Sequence, residues 1–139
     1  EKSIQEKNSH STYLASFVDE VLAEAKIKVA DLDAVVIGGG PGSYTGLRIG
    51  CSLAKGLCFG AGIPLIACST LRALAVSALE ENKALDTILS VIDARRMDAY
   101  LGVFNAQQQT RVKEHFVTLD KQLAVDYASL DRAAFRIFA

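Results

Sequence analysis

The residues of this 139-residue chain that could do chemistry gather at one place, Gly38-Gly39-Gly40-Pro41-Gly42. The β-branched run Val35-Val36-Ile37 precedes them and reads as a buried strand. Ser43 or Thr45 follows as a helix N-cap. A strand, a glycine turn and a helix N-terminus bring backbone N–H groups up to an anion. Gly40, Pro41, Gly42, Ser43, Thr45, Gly46 and Arg48 are therefore the candidate loop. Two familiar versions of the layout fail here. A Walker loop needs Lys-Ser/Thr after its last glycine, and Leu47-Arg48 stand there; the dinucleotide fingerprint meets Ser43 or Thr45 where it needs its third glycine. An anion cradle and a tight turn with close helix–sheet packing both remain open.

Other reactive residues are sparse. Of the two histidines, His10 lies near the start and His115 in an expected strand, and one imidazole without a second ligand makes no metal site. Cys51, Cys58 and Cys68 are odd in number and lack metal-ligand spacing, so they read as buried small hydrophobes in a reducing compartment. Asp93 and Arg95 could form a functional pair, and a turn-stabilising salt bridge is the plainer account.

The elements that must position these residues follow from periodicity. A first helix is expected over His10–Lys26, with Leu14, Phe17, Val18, Val21 and Ala25 on its apolar face. The helix after the glycine turn should run from Thr45 to Gly60. Leu47, Gly50, Cys51, Ala54, Leu57 and Cys58 lie along one side of it, and Ile49, Leu53, Gly56 and Gly60 along another. Only Arg48, Ser52 and Lys55 make a polar stripe. A helix apolar on two sides is buried on two sides. Gly46, Gly50 and Ala54 recur at i, i+4, i+8, a shallow ridge that a second helix can approach. One side should sit on the sheet, and the other needs a helix from this chain or from a partner. The expected partner surface is therefore Leu14, Phe17, Val18 and Val21 on the first helix, with Gly46, Leu47, Gly50, Cys51, Ala54 and Leu57 on the second.

Ile63 to Cys68 reads as a second strand, and Ser69 or Thr70 caps a helix from Leu71 to about Glu81. This βαβα rhythm implies an α/β fold with a mainly parallel sheet flanked by helices. The charged stretch Glu80-Glu81-Asn82-Lys83 is the expected boundary between a first domain, residues 1–83, and the opening of a second, residues 84–139. Ile88–Ile92, Met97–Phe104 and Arg111–Thr118 read as a meander of strands, and the role of residues 105–139 is not legible.

Net charge is −1 and no basic run exceeds Arg95-Arg96, whereas a protein that grips RNA unaided normally carries a basic face. No apolar run reaches membrane-spanning length and no signal peptide is visible, so the expected place is the cytoplasm. The chain opens Glu1-Lys2-Ser3, which reads as the middle of a longer protein.

Gly40-Pro41-Gly42-Ser43-Tyr44-Thr45-Gly46-Leu47-Arg48-Ile49-Gly50 resembles the signature of the bacterial TsaB (YeaZ) family. Cys68-Ser69-Thr70-Leu71 and Ile92-Asp93-Ala94-Arg95-Arg96 fall where that family has its Ser-Thr-Leu and Asp-Ala-Arg segments, and the likeness spans roughly Ser9 to Phe104. The resemblance implies an ASKHA (actin-like ATPase, ribonuclease H-like) fold with the start of a second similar domain. It further implies a non-catalytic subunit needed for N6-threonylcarbamoyladenosine in tRNA, pairing through its N-terminal helices with a TsaD-like transferase. A TsaE-like ATPase is a further implied partner, a homodimer the state when alone, and tRNA is met only indirectly, with no membrane. No cofactor is expected by itself, and ATP or ADP would bind at the interface of the assembled complex. The rival readings are a glycoprotease-like (peptidase M22-like) metallopeptidase and an ATP-binding ASKHA enzyme. The catalytic relative carries two metal-binding histidines four residues apart on its first helix; here His10 is followed at that spacing by Leu14, which has no lone pair to give.

Overall fold

The computed structural model describes residues 10–121 and the strand at 133–138, with side chains described over 13–121. The elements follow in the order α1 (His10–Ala25), a 3-10 turn (Val29–Asp31), β1 (Val35–Gly38), α2 (Tyr44–Ala61), β2 (Leu65–Cys68), α3 (Thr70–Glu81), β3 (Thr87–Arg95), β4 (Asp98–Asn105), β5 (Thr110–Thr118) and β6 (Ala133–Phe138). They form two compact units. Of the described residues, the first holds those up to Gly39 together with Ser43–Cys68, and the second holds Gly40–Gly42 and those from Ser69 on. The division falls after Cys68, ahead of the charged stretch at 80–83, because α3 packs onto the later strands. Leu71, Ala75 and Ala78 of α3 are buried with Ile88 of β3 and Phe104 of β4.

In the first unit β1 and β2 pair in parallel, Val35 opposite Leu65 through Gly38 opposite Cys68. Parallel strands need a crossover, and α2 supplies it. Ser43 is the N-cap: its Oγ accepts from the Gly46 amide at 3.3 Å. The helix runs past Gly60, the expected stop, and ends at Gly62, whose φ of 70° and ψ of 27° make the left-handed cap that glycine adopts cheaply. α1 stops at Ala25, leaving Lys26 with a φ of 58° and Lys28 outside the helix.

In the second unit the sheet order is β5-β4-β3-β6. The meander β3–β4–β5 is antiparallel, and β6 joins β3 in parallel. β6 lies in the tail where no pattern was legible. Ser69 caps α3 by accepting from the Arg72 amide at 3.1 Å. A second apolar cluster, Leu89, Val91, Ala99, Leu101 and Val103, alternates with the first along β3 and β4. This period of two is what a sheet buried on both faces requires.

Candidate functional site: α2 and its two sides

The glycine turn is demanding at one place. Gly40 has a φ of 103°, a conformation L side chains rarely adopt, and its carbonyl accepts from the Thr70 amide at 2.9 Å within the second unit. Gly42 and Gly46 are less demanding: a Cβ on Gly42 would meet nothing within 4 Å, and one on Gly46 would meet Ser43 at an ordinary 3.6 Å. Several amides near the turn are already engaged. Gly39 donates to Cys68 O at 2.7 Å, Gly46 to Ser43 Oγ, and Leu47 to Ser43 O at 2.8 Å.

Of the two apolar sides of α2, one is internal. Ala54 is 4% exposed and Cys58 is buried, its thiol donating to the Pro64 carbonyl at 3.5 Å. Ala54, the last residue of the Gly46/Gly50/Ala54 ridge, is therefore already covered. Gly46 and Gly50 line a cavity of about 450 Å³ with Leu14 of α1, and Leu47 and Cys51 line it as well. A Cβ on Gly50 would meet nothing within 4 Å, so α1 leaves open space over this part of the ridge. Leu14, Phe17 and Val18 are half-buried, whereas Val21 is 38% exposed, so α1 turns its inner face one position further along, toward Leu22. Phe17 stacks on Tyr13 with ring centroids 6.1 Å apart.

The other side of α2 is open. Ile49 and Leu53 are half-buried, and a Cβ on Gly56 or Gly60 would meet nothing within 4 Å. Phe59 stands beside them at 92% exposure. The sequence grouped Gly56 and Gly60 on this side but gave Phe59 no role, because an aromatic at that spacing reads equally as core.

A third face of α2 borders a groove of about 460 Å³ over the sheet. Tyr44, Arg48, Ser52 and Lys55 form its helical wall, and Ile37, Gly38, Gly39 and Ala67 belong to its floor. The Arg48 guanidinium carbon lies 5.4 Å from the centre of the Tyr44 ring. Arg48 thus belongs to this wall. The sequence exposed the Arg48/Ser52/Lys55 stripe; Tyr44, one turn earlier at the same spacing, is the member it missed.

Elsewhere the expected sites dissolve into local structure. Asp93 Oδ1 accepts from the backbone amide of Arg95 at 2.9 Å, so the carboxylate braces the turn through the main chain and not through the guanidinium. A bulge follows Asp93, and Arg95, Arg96 and Met97 all have positive φ, 72°, 56° and 67°. Cys68 is exposed, contrary to its expected burial, because β2 turns only Leu65 partly inward; Cys51 is half-buried. His10 opens α1, with its side chain outside the described residues. His115 lies on β5, where its Nδ1 donates to the Lys113 carbonyl at 2.8 Å. Among the described residues no three His, Cys, Asp or Glu side chains converge on a metal site, and no helix is long and apolar enough to cross a membrane.

A parallel βαβ unit followed by a largely antiparallel sheet carrying a helix defines an α/β protein of the actin-like (ASKHA) type. The family model described as TsaD, tRNA N6-adenosine threonylcarbamoyltransferase, matches residues 5–136. YeaZ from Pseudomonas aeruginosa superposes with a TM-score of 0.73 at 26% identity, over 95% of this chain and 70% of that one. The tRNA threonylcarbamoyladenosine biosynthesis protein TsaB of Haemophilus influenzae is 38% identical over 96 residues, 69% of this chain and 40% of the relative. TsaB of Escherichia coli is 38% identical over 99 residues, 71% of this chain and 42% of the relative. The chain belongs to the TsaB (YeaZ) family. It spans about two fifths of the length of these curated relatives.

Proposed function

We propose that this chain is part of a non-catalytic subunit that supports formation of N6-threonylcarbamoyladenosine in tRNA. It pairs through α1 and α2 with a TsaD-like transferase in the cytoplasm. The observation that carries the pairing is Phe59, almost fully exposed on α2 beside the open positions Gly56 and Gly60. A large aromatic left in water next to two side-chain-free positions is the shape of a knob and a flat seat for a partner helix. The names of the curated relatives supply the pathway. In the same reading a TsaE-like ATPase joins the assembly, and ATP or ADP binds at the joint interface and not to this chain alone. A homodimer forms when the transferase is absent, and tRNA is met through the complex.

The test is co-purification of the tagged chain with the TsaD-like transferase of the same cell. Wild type should retain the transferase. Phe59→Asp, at a position that already faces water, should keep the helical content of wild type and lose the transferase. A folded Phe59→Asp that still pairs would place the interface away from this side of α2.

A further inference from the structure

One face of the second sheet is covered at one end and open at the other. Register sets its residues in rows across β3, β4 and β5. Ile88, Phe104 and Thr110 make the first row, and Ser90 with Gly102 the second. Ile92, Tyr100 and Phe116 make the third, and Arg95, Asp98 and Thr118 the fourth. α3 lays Leu71, Ala75 and Ala78 on the first row, where Arg72 Nη2 also donates to Thr110 Oγ1 at 3.3 Å. Two rows further on, Tyr100 is 38% and Phe116 54% exposed, their rings edge to face with centroids 5.5 Å apart.

Unpaired charges of opposite sign bracket this aromatic pair. On the fourth-row side the carboxylates are engaged within the hairpin: Asp93 accepts from the Arg95 amide, and Asp98 Oδ1 from Thr118 Oγ1 at 2.8 Å. The Arg95 and Arg96 guanidiniums are exposed and have no partner among the described residues. On the second-row side the Glu114 stem lies over Gly102, its Cγ 3.1 Å from where a Cβ would stand. The half-buried Glu114 has no carboxylate partner among the described residues either.

We propose that this open half-face seats an amphipathic helix of a partner protein, with its apolar stripe on Tyr100 and Phe116, a carboxylate at Arg95 and a cation at Glu114. α3 shows that the same face accepts a helix through an apolar stripe at i, i+4, i+7. Tyr, Phe and Arg together are the side chains that dominate the energetics of protein interfaces. From Asp98 to Gly102 the rows are about 13 Å apart at roughly 3.3 Å per residue. Helix residues seven apart on one side lie about 10 Å apart, and the length of Glu and Lys side chains covers the difference. A nucleic-acid strand would meet Arg95 but be repelled by Glu114. A second copy laid face to face, centred on Tyr100, fits poorly. A two-fold along the strands sets Asp98 against Asp98, and one across them sets Arg95 against Ser90 and Glu114 against Thr118, so neither pairs the charges. The inference is independent of the pairing reading, which rests on α1 and α2.

The experiment is fluorescence anisotropy with labelled helical peptides of about 16 residues. Each carries a leucine stripe bracketed, seven positions apart, by Glu and Lys, by two Lys or by two Glu. Wild type should bind the Glu/Lys peptide, and the like-charged versions about fivefold more weakly, the size of one exposed charge pair. Phe116→Asp, at an exposed position, should weaken binding about tenfold. Arg95→Glu should reverse the order and take the Lys/Lys peptide above the Glu/Lys one, a reversal that loss of structure does not produce. If Arg95→Glu loses strand content by circular dichroism, Glu114→Lys serves, with the Glu/Glu peptide rising above the Glu/Lys one. No binding by wild type, full affinity in a folded Phe116→Asp, or an unchanged order in the folded charge variants would each overturn the proposal. So would unlabelled single-stranded RNA displacing the peptide at equal charge, which would assign the half-face to nucleic acid. A wild-type dimer that Phe116→Asp abolishes in sedimentation would overturn it in favour of a second copy.

Discussion

Gly40 and Gly42 sit two positions apart in the same glycine-rich turn and meet different demands. At Gly40 the φ of 103° forces any L side chain into strained backbone, so Gly40→Ala should cost about 1–3 kcal/mol and lower the thermal midpoint. At Gly42 a Cβ meets open space, and Gly42→Ala should melt within about a degree of wild type. Equal losses at both positions would contradict this assignment of strain. The presence of a demanding glycine was legible in Gly38–Gly42, but not which one, because five near-contiguous Gly and Pro residues carry no positional signal of φ. Ala54 gives the complementary lesson. The i, i+4, i+8 spacing marks three small residues on one side of α2, but spacing does not say which of them is covered: Ala54 is buried, and a Cβ on Gly50 would meet nothing within 4 Å. With Ala54 at 4% exposure, Ala54→Glu places a carboxylate in the interior and should unfold the first unit, read as loss of helical content.

At the scale of elements, α3 decides how the chain divides. The sequence placed α3 with the strands before it, since the charged run Glu80–Lys83 looks like a boundary. Packing overrides that signal: the only fully apolar side α3 presents, Leu71, Ala75 and Ala78, is buried against Ile88 and Phe104. Phe104 is wholly buried there, and Phe104→Ala should cost about 3–5 kcal/mol, the lost transfer energy plus a cavity too tightly walled to collapse. Chemical denaturation followed by far-UV circular dichroism would measure it, and a cost below about 1 kcal/mol would mean that α3 is not held by this cluster. β3 was legible as a short apolar run, and β4 by the alternation of Met97, Ala99, Leu101 and Val103 with Asp98, Tyr100, Gly102 and Phe104. β6 was not, because its partner β3 is distant in sequence and parallel, and such pairing leaves no turn signature beside the strand.

For the whole molecule the decisive quantity is the free energy available at the open side of α2. Burying a fully exposed Phe contributes roughly 1.5–3 kcal/mol, and in a two-fold symmetric pair each copy contributes its own Phe59. The two together amount to about 3–6 kcal/mol, a factor of a hundred or more in affinity at 1.4 kcal/mol per decade. A chain alone in solution should therefore self-associate through the surface that a TsaD-like partner would otherwise occupy, and the two associations should exclude each other. Sedimentation velocity gives the measurement. Wild type should shift toward dimer with rising concentration, and Phe59→Asp should stay monomeric at concentrations at least tenfold higher. Adding the transferase to wild type should replace the homodimer with a one-to-one pair and form no larger species. Growth of a three-chain complex would show that the two surfaces are separate, and the α2 side bearing Phe59 would then belong to only one of them.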